Sequence, residues 1–114
     1  MVAFLPRDRR LLLESKRFEA FTPHTITSAE ALEKEFGTIR QLGYATDNEE
    51  SQIGVRCIAA PILDSDGGPV AAISISGPAS RVTLDSVPEF SRALRAAVQE
   101  VSSLLSSDAA VEAR

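Results

Sequence analysis

The side chains of this sequence most suited to chemistry or ligand binding are a thiol and two hydroxyls within one stretch, Gly54 to Thr83. Cys57 lies in a run of small and apolar residues, and Ser74 and Ser76 lie in a second such run. Because alternate residues of a strand point to opposite faces, each run has an aliphatic face and a face of small side chains. Small side chains leave room for a ligand, and hydroxyls can hydrogen-bond to it. This second face is therefore a candidate ligand site.

The dipeptide Asp66-Gly67 separates the two runs and predicts how they pair. Asp-Gly between two such runs is a strong hairpin signal. If the strands pair symmetrically about it, Cys57 lies opposite Ser76, and Ala59 lies opposite Ser74. Opposed side chains are roughly 5 Å apart, so the thiol and both hydroxyls would share one small patch. A slip of one residue would separate them.

Two other interpretations of these residues remain open. A lone cysteine on a strand is most often a small buried hydrophobe, and a pair of serines can mark a solvated strand face. The neighbours of the serines on their face are small and uncharged, which favours pocket lining. Catalysis is not expected: the only histidine, His24, lies in a proline-bearing connector, and nothing predicts a base beside the thiol. We also find no phosphate loop, acid–base pair or metal ligand set, so we expect no enzyme, no metal and no cofactor.

The elements that position this face are predicted from capping residues and periodicity. The pattern indicates helix, helix, strand, strand, strand, helix, which is an α/β (α+β) unit with an antiparallel hairpin. The second helix opens with a capping box from Thr27 to Glu30 and ends at Gly43. Its buried stripe is Leu32, Phe36 and Ile39. The remaining predicted elements are a first helix from Pro6 with the stripe Leu11, Leu12, Ser15 and Phe18, a strand over 44–47, a turn over 77–80, and a last helix from near Ser86.

Length and charge limit the function classes. The chain has 114 residues, enough for one domain, and a net charge of −4, which argues against a nucleic-acid-binding surface of its own. A single cysteine cannot form an intramolecular disulfide. The sequence shows neither a signal peptide nor a membrane-spanning run. These features predict a soluble cytoplasmic domain.

Four segments, in order and at the right spacing, resemble the C-terminal effector-binding domain of IclR-type bacterial transcriptional regulators. They are FTPHTITSAEALEKEFGTIRQLGYA, GYATDNEE, GVRCIAAPILD and AAISISGPASRVT. The resemblance runs from about Ala3 to about Ser103. It implies a GAF-like fold, an antiparallel sheet flanked by helices, and self-association into dimers or tetramers.

The resemblance also implies a ligand, a small organic or aromatic acid, and residues that contact it. By motif position these are Asp47, Cys57, Ser74 and Ser76, with Val55 as an apolar wall. The thiol and the serines are thus indicated twice, whereas Asp47 comes from the resemblance alone. The Asp47 carboxylate would repel a second carboxylate and would accept a hydrogen bond from a donor. We therefore expect an effector with a carboxylate at one end and a donor group within a few atoms of it.

Members of this family begin with a winged helix-turn-helix, of which this sequence shows no trace. We expect residues 1–106 to form a partial effector-binding domain, residues 107–114 to be a flexible tail, and DNA to be reached only through a domain absent from this chain. Absent early strands would leave an unpaired sheet edge. Two functions follow as hypotheses: the ligand-sensing, oligomerising part of an IclR-type regulator, or a stand-alone protein that forms mixed oligomers with an intact regulator and binds no DNA.

Overall fold

The protein forms one three-stranded sheet with its C-terminal helix packed on one face and a second helix beside the other face across a groove, seen in a computed structural model that describes residues 2–10 and 18–112. The strands are antiparallel in the order β1-β2-β3. The predicted order of elements and the α+β class are confirmed. The elements are a 3-10 turn (Val2–Phe4), α1 (Arg7–Arg10), α2 (Ala29–Leu42), β1 (Ala45–Asn48), β2 (Val55–Leu63), β3 (Pro69–Pro78) and α3 (Val87–Glu112). Of the stripe predicted for the first helix, Leu11, Leu12 and Ser15 lie outside the described residues, and the prediction is wrong at Phe18, which has no helical structure.

The β2–β3 hairpin has the predicted register from Val55 to Ile62, and the ladder shifts by one residue between Ile62 and Leu63, next to the turn. Cys57 pairs with Ser76, and Ala59 pairs with Ser74. Gly67 adopts a φ of 83° in the connecting loop, a conformation that favours glycine. The turn predicted over 77–80 is confirmed at Ala79 and Ser80, where the Arg81 N–H donates to the Pro78 carbonyl at 2.9 Å, but it begins later than predicted because Gly77 and Pro78 still pair with β2.

The aliphatic face of the hairpin forms the core, and α3 covers it. Ile58 is completely buried at its centre. The cluster contains Ile58, Ala60, Val82, Val87 and Leu94. Burial alternates along β2 without interruption, so one strand separates a dry face from a more open one.

Helix α3 begins at Val87, next to the predicted start, and continues to Glu112. It therefore extends past residue 106, where we place the end of the domain, and the flexibility of residues 107–114 stays a prediction. Across residues 2–10 and 18–112, no helix combines the length and the apolar character needed to cross a membrane.

Helix α2 is capped one residue later than predicted. Its N-cap is Ser28, which has extended backbone angles and accepts a hydrogen bond on Oγ from the Ala31 N–H at 3.1 Å. The expected capping box from Thr27 is wrong, since Glu30 then occupies the second helical position rather than the third. Gly43 ends the helix as predicted, with a φ of 83° and its N–H donating to the Ile39 carbonyl at 2.7 Å.

We expect Ser28→Ala to lower the free energy of unfolding by about 1 kcal/mol, because the Ala31 N–H loses its side-chain acceptor. Thr27→Ala is the matched control, since it removes a hydroxyl from the neighbouring exposed residue. Urea unfolding followed by circular dichroism measures both. An equal loss in Thr27→Ala would contradict the assignment of the cap.

Candidate functional site

Three of the predicted site residues form one row across the sheet. Asp47 on β1 pairs with Cys57 on β2, and Cys57 pairs with Ser76 on β3. The Cys57 Sγ lies 3.0 Å from the Ser76 Oγ. Neighbouring strands are about 4.8 Å apart, so the row spans about 10 Å. The pairing of β1 with β2 thus brings Asp47 onto the same face as the thiol and the serine.

The other two predicted residues lie in flanking rows of the same face. Ser74 pairs with Ala59, which pairs with Ala45, so its row is built mainly from small side chains. Val55 pairs with Pro78 at the end of the hairpin. Ser74 and Ser76 are exposed. The structure brings all five together on one face; that they bind a ligand stays a prediction.

A groove of about 390 Å³ separates this face from α2. Its apolar walls include the predicted stripe of α2, and its floor is formed by small residues of the sheet. Among the described residues, its lining includes Asp47 and Cys57 but not Val55, Ser74 or Ser76. The lining residues are Phe21, Thr25, Ile26, Leu32, Glu35, Phe36, Ile39, Ala45, Thr46, Asp47, Glu50, Ser51, Cys57 and Ala59.

Asp47 braces the loop that follows β1 while it lines the groove. Its Oδ1 accepts from the Glu50 N–H at 2.9 Å, and its Oδ2 accepts from the Ser51 hydroxyl at 3.1 Å. The sequence left bracing of the loop and contact with a ligand as alternatives for Asp47; the bracing bonds are present, and contact with a ligand stays a prediction. Each carboxylate oxygen has a second lone pair, so Asp47 can still accept from a donor in the groove.

The connector 21–25 forms a rim of the groove and is tied to the same loop. The Thr22 hydroxyl donates to the Glu49 carbonyl at 2.6 Å, and the Thr25 hydroxyl donates to the Glu50 carbonyl. Thr22 is buried, whereas Phe21 is 68% exposed and lines the groove. The hydrogen bonds of Thr22 and Thr25 to the loop therefore keep the exposed Phe21 ring at the groove.

Arg56 is a structural residue that sequence reasoning missed. It shares the aliphatic face with Ile58 and is buried, and its guanidinium is held from three directions. Nε donates to Asn48 Oδ1 at 3.0 Å, Nη1 donates to the Val82 carbonyl at 2.5 Å, and Nη2 lies 3.5 Å from Glu49 Oε2. The sequence held a signal for this residue: Arg56 is a charged residue on the strand face that otherwise carries aliphatic side chains.

The groove is acidic. Besides Asp47, it is lined by Glu35 from α2 and Glu50 from the loop, neither of which the sequence singled out. Burial raises the pKa of the Glu50 carboxyl above its ordinary value of 4.5; the Asn48 N–H bond opposes this, and the Asp47 charge adds to it. In the part of the chain that the structure describes, no group of three histidine, cysteine or carboxylate side chains is placed to hold a metal ion.

Glu50→Gln should raise the free energy of unfolding at pH 7, because the neutral amide removes a partly buried charge. The gain should be at most about 0.5 kcal/mol, because water screens this half-buried group. The folded-state pKa is raised, so the folded protein binds the proton more tightly than the unfolded chain does. The stabilisation that the protonated Glu50 carboxyl gives to the folded state is complete below pH 4.5 and is lost as the pH rises through the folded-state pKa. The amide oxygen can still accept from the Asn48 N–H, as Oε2 does at 2.8 Å.

Urea unfolding of the wild type and the variant between pH 4 and pH 7.5 measures this difference, with Glu100→Gln on the exposed side of α3 as control. A wild type that gains stability relative to Glu50→Gln as the pH rises would contradict the direction of the shift.

Residues 1–103 match the family model for "Bacterial transcriptional regulator IclR C-terminal". The chain belongs to the IclR family. Its relatives include the HTH-type transcriptional regulator BhcR of Paracoccus denitrificans, 43% identical over 97 residues that cover 85% of this chain and 35% of BhcR. The transcriptional repressor IclR of Escherichia coli is 44% identical over 90 residues, 79% of this chain and 33% of that protein. These relatives are transcriptional regulators, which confirms the prediction that the chain is not an enzyme.

Solved IclR structures share the fold. The IclR of Thermotoga maritima superposes with a TM-score of 0.83 at 40% identity, over 91% of this chain and 42% of that one. The C-terminal domain of the E. coli regulator KdgR gives a TM-score of 0.79 at 37% identity, over 89% of this chain and 62% of that one. The chain thus spans about a third of the length of the curated relatives and matches part of the family's C-terminal domain.

Proposed function

We propose that this IclR-family domain binds a small organic acid across the row of Asp47, Cys57 and Ser76, as the sensing part of a transcriptional regulator. The observation that carries the proposal is the row itself, which places an acceptor and a hydroxyl donor at opposite ends of one open sheet face. The row spans about 10 Å, a length that suits a ligand of one small ring or a short chain. The adjoining groove offers apolar surface for the body of such a ligand.

A related ligand complex supports this ligand class. The double mutant of the PobR inducer-binding domain from Acinetobacter has been solved in complex with 3-hydroxybenzoic acid. It superposes on this chain with a TM-score of 0.80 at 26% identity, over 89% of this chain and 59% of that one. This ligand has a carboxylate at one end and a donor hydroxyl at the other, which is the pattern expected from the position of Asp47.

The ends of the row suggest how such a ligand would lie. The hydroxyls of Ser74 and Ser76 can donate to a carboxylate, and neither residue has a charged pairing partner on β2. The Asp47 carboxylate at the other end would accept a hydrogen bond from the hydroxyl of the ligand. A ligand in this orientation keeps its negative charge about two strand spacings from the Asp47 carboxylate.

Isothermal titration calorimetry of the chain with 3-hydroxybenzoate and with benzoate tests this orientation. We expect the hydroxy acid to bind more tightly, Asp47→Asn to reduce the difference, and Ser76→Ala to weaken both acids by up to about tenfold. Ser80→Ala, which removes an exposed hydroxyl in the turn after β3, is the matched control. Equal affinity of the wild type for the two acids would refute the role of Asp47. Wild-type affinity of Ser76→Ala for both acids would refute the role of the serines.

Self-association is the second part of the proposal. Leu104 and Leu105 on α3 are 63% and 49% exposed, and Val70 on the edge strand β3 is also exposed. Apolar surface of this kind is commonly covered in an assembly. Sedimentation analysis should give a dimer or tetramer, and Leu104→Glu should shift it toward the monomer; a wild-type monomer at micromolar concentration would refute this.

The open edge of β3 also favours the second candidate, a protein that joins mixed oligomers with an intact regulator. A strand edge can pair with another chain. If so, the chain added to an intact IclR-type regulator should form mixed species by native mass spectrometry and reduce operator binding. Purely homogeneous species would exclude this candidate while leaving the first one untouched.

A further inference from the structure

We infer that the groove selects effectors with a single carboxylate: Glu35 and Glu50 repel a second carboxylate and favour a hydrogen-bond donor or an ammonium group at that end. The inference rests on the proposed function, since it assigns the specificity of the same site. It concerns two residues that neither the hairpin pattern nor the family resemblance indicated.

The groove is suited to the uncharged body of a ligand. On the α2 side, Leu32, Phe36 and Ile39 form one wall, and on the sheet side Ala45 and Ala59 form a shallow floor. Phe21 adds an aromatic ring that is largely exposed at the rim. An organic group that enters this space therefore removes apolar surface from water on both sides, which favours binding.

The charged groups of the groove come from three separate elements and have the same sign. Glu35 lies on α2, Asp47 on β1 and Glu50 in the loop after β1. All three are half-buried, so water screens them less than it screens surface charges. The described lining residues include no lysine, arginine or histidine. His24 lines the neighbouring cavity together with Glu35 and Glu50, outside the lining of the groove itself. Among the described lining residues, an anionic group that enters the groove would meet three carboxylates and no basic side chain.

The two ends of the site therefore differ in what they accept. The serine end offers hydroxyl donors for one carboxylate, and the groove end offers acceptors for a donor. Phe21 also lines the groove, and an ammonium group placed over the face of its ring would gain additional attraction. This polarity fixes the orientation of the ligand and excludes dicarboxylates of the same size.

A matched series of ring acids tests the inference by calorimetry on the intact chain. Benzoate, 3-hydroxybenzoate, 3-(aminomethyl)benzoate and isophthalate share one carboxylate and differ only in the meta group, which is hydrogen, hydroxyl, aminomethyl or a second carboxylate. We expect isophthalate to bind at least about tenfold more weakly than 3-hydroxybenzoate, because its second carboxylate would lie among the partly buried carboxylates of the groove, which repel it. The ammonium compound should bind at least as tightly as the hydroxy acid.

The double variant Glu35→Gln, Glu50→Gln should bind isophthalate several-fold more tightly than the wild type does, and the ammonium compound more weakly than the wild type does. Glu30→Gln removes one carboxylate from an exposed position on α2 outside the groove lining and should change neither value. If the wild type binds isophthalate as tightly as 3-hydroxybenzoate, the inference is wrong while the proposed function stands. If none of the four acids binds, the proposed ligand class fails and the inference fails with it.

Discussion

We expect Ile58→Ala to lower the free energy of unfolding by about 2–5 kcal/mol. Ile58 is 0% exposed and lies at the centre of the cluster formed by β2 and α3. Removing its outer carbons leaves a cavity between the sheet and the helix, which the surrounding side chains fill only in part. Urea unfolding by circular dichroism measures the loss.

Two variants calibrate this result. Ile58→Val removes one methylene and should cost about 0.5–1.5 kcal/mol. Ser76→Ala, on the opposite face of the neighbouring strand, should cost less than about 1 kcal/mol, since Ser76 is exposed and loses only its contact with the Cys57 thiol. A loss in Ser76→Ala equal to that in Ile58→Ala would refute the division of the hairpin into a core face and a site face.

Arg56→Met should destabilise the protein by about 3–5 kcal/mol. The guanidinium is the shared partner of Asn48 Oδ1, the Val82 carbonyl and the Glu49 carboxylate, and it also donates to the Ala79 carbonyl at 3.2 Å. Methionine has a similar length but no donor, so these groups lose their partner. The loop after β1 and the turn after β3 would then lose the bonds that connect them.

Arg56→Lys separates charge from geometry. A lysine restores the positive charge but has no planar fork that can donate in three directions, so it should recover only part of the loss. Arg81→Met, at an exposed position in the turn after β3, should change the unfolding free energy by no more than about 0.5 kcal/mol. Full recovery by lysine would show that the charge alone matters and that the fork geometry does not.

The loop after β1 connects these structural residues to the proposed site. Glu49 has a φ of 58°, and its Oε1 accepts from the Gly54 N–H at 2.9 Å. The same loop receives the Thr22 and Thr25 hydroxyls from the rim of the groove and donates its Glu50 N–H to Asp47. Arg56 and the connector 21–25 thus hold the loop from both sides of the sheet, which keeps Asp47 in place.

The sequence by itself determined the features that depend on neighbouring residues. The Asp66-Gly67 turn and the alternation on either side of it predicted the pairing of Cys57 with Ser76, because a short hairpin allows few registers. The spacing of Leu32, Phe36 and Ile39 predicted that they share one side of α2; all three line the groove, but only Phe36 is buried. Gly43 was predicted to end the helix, and it does so with a positive φ. Family resemblance added Asp47, which no local pattern indicated.

Only the tertiary structure decided which residues from distant elements meet. The row from Asp47 to Ser76 requires the register between β1 and β2, which no short turn specifies. The acidic lining of the groove requires Glu35 and Glu50 to face the same space from a helix and a loop. The burial of Arg56 depends on carbonyl groups more than 20 residues away in the chain. Such contacts depend on packing between elements, which periodicity along one element does not encode.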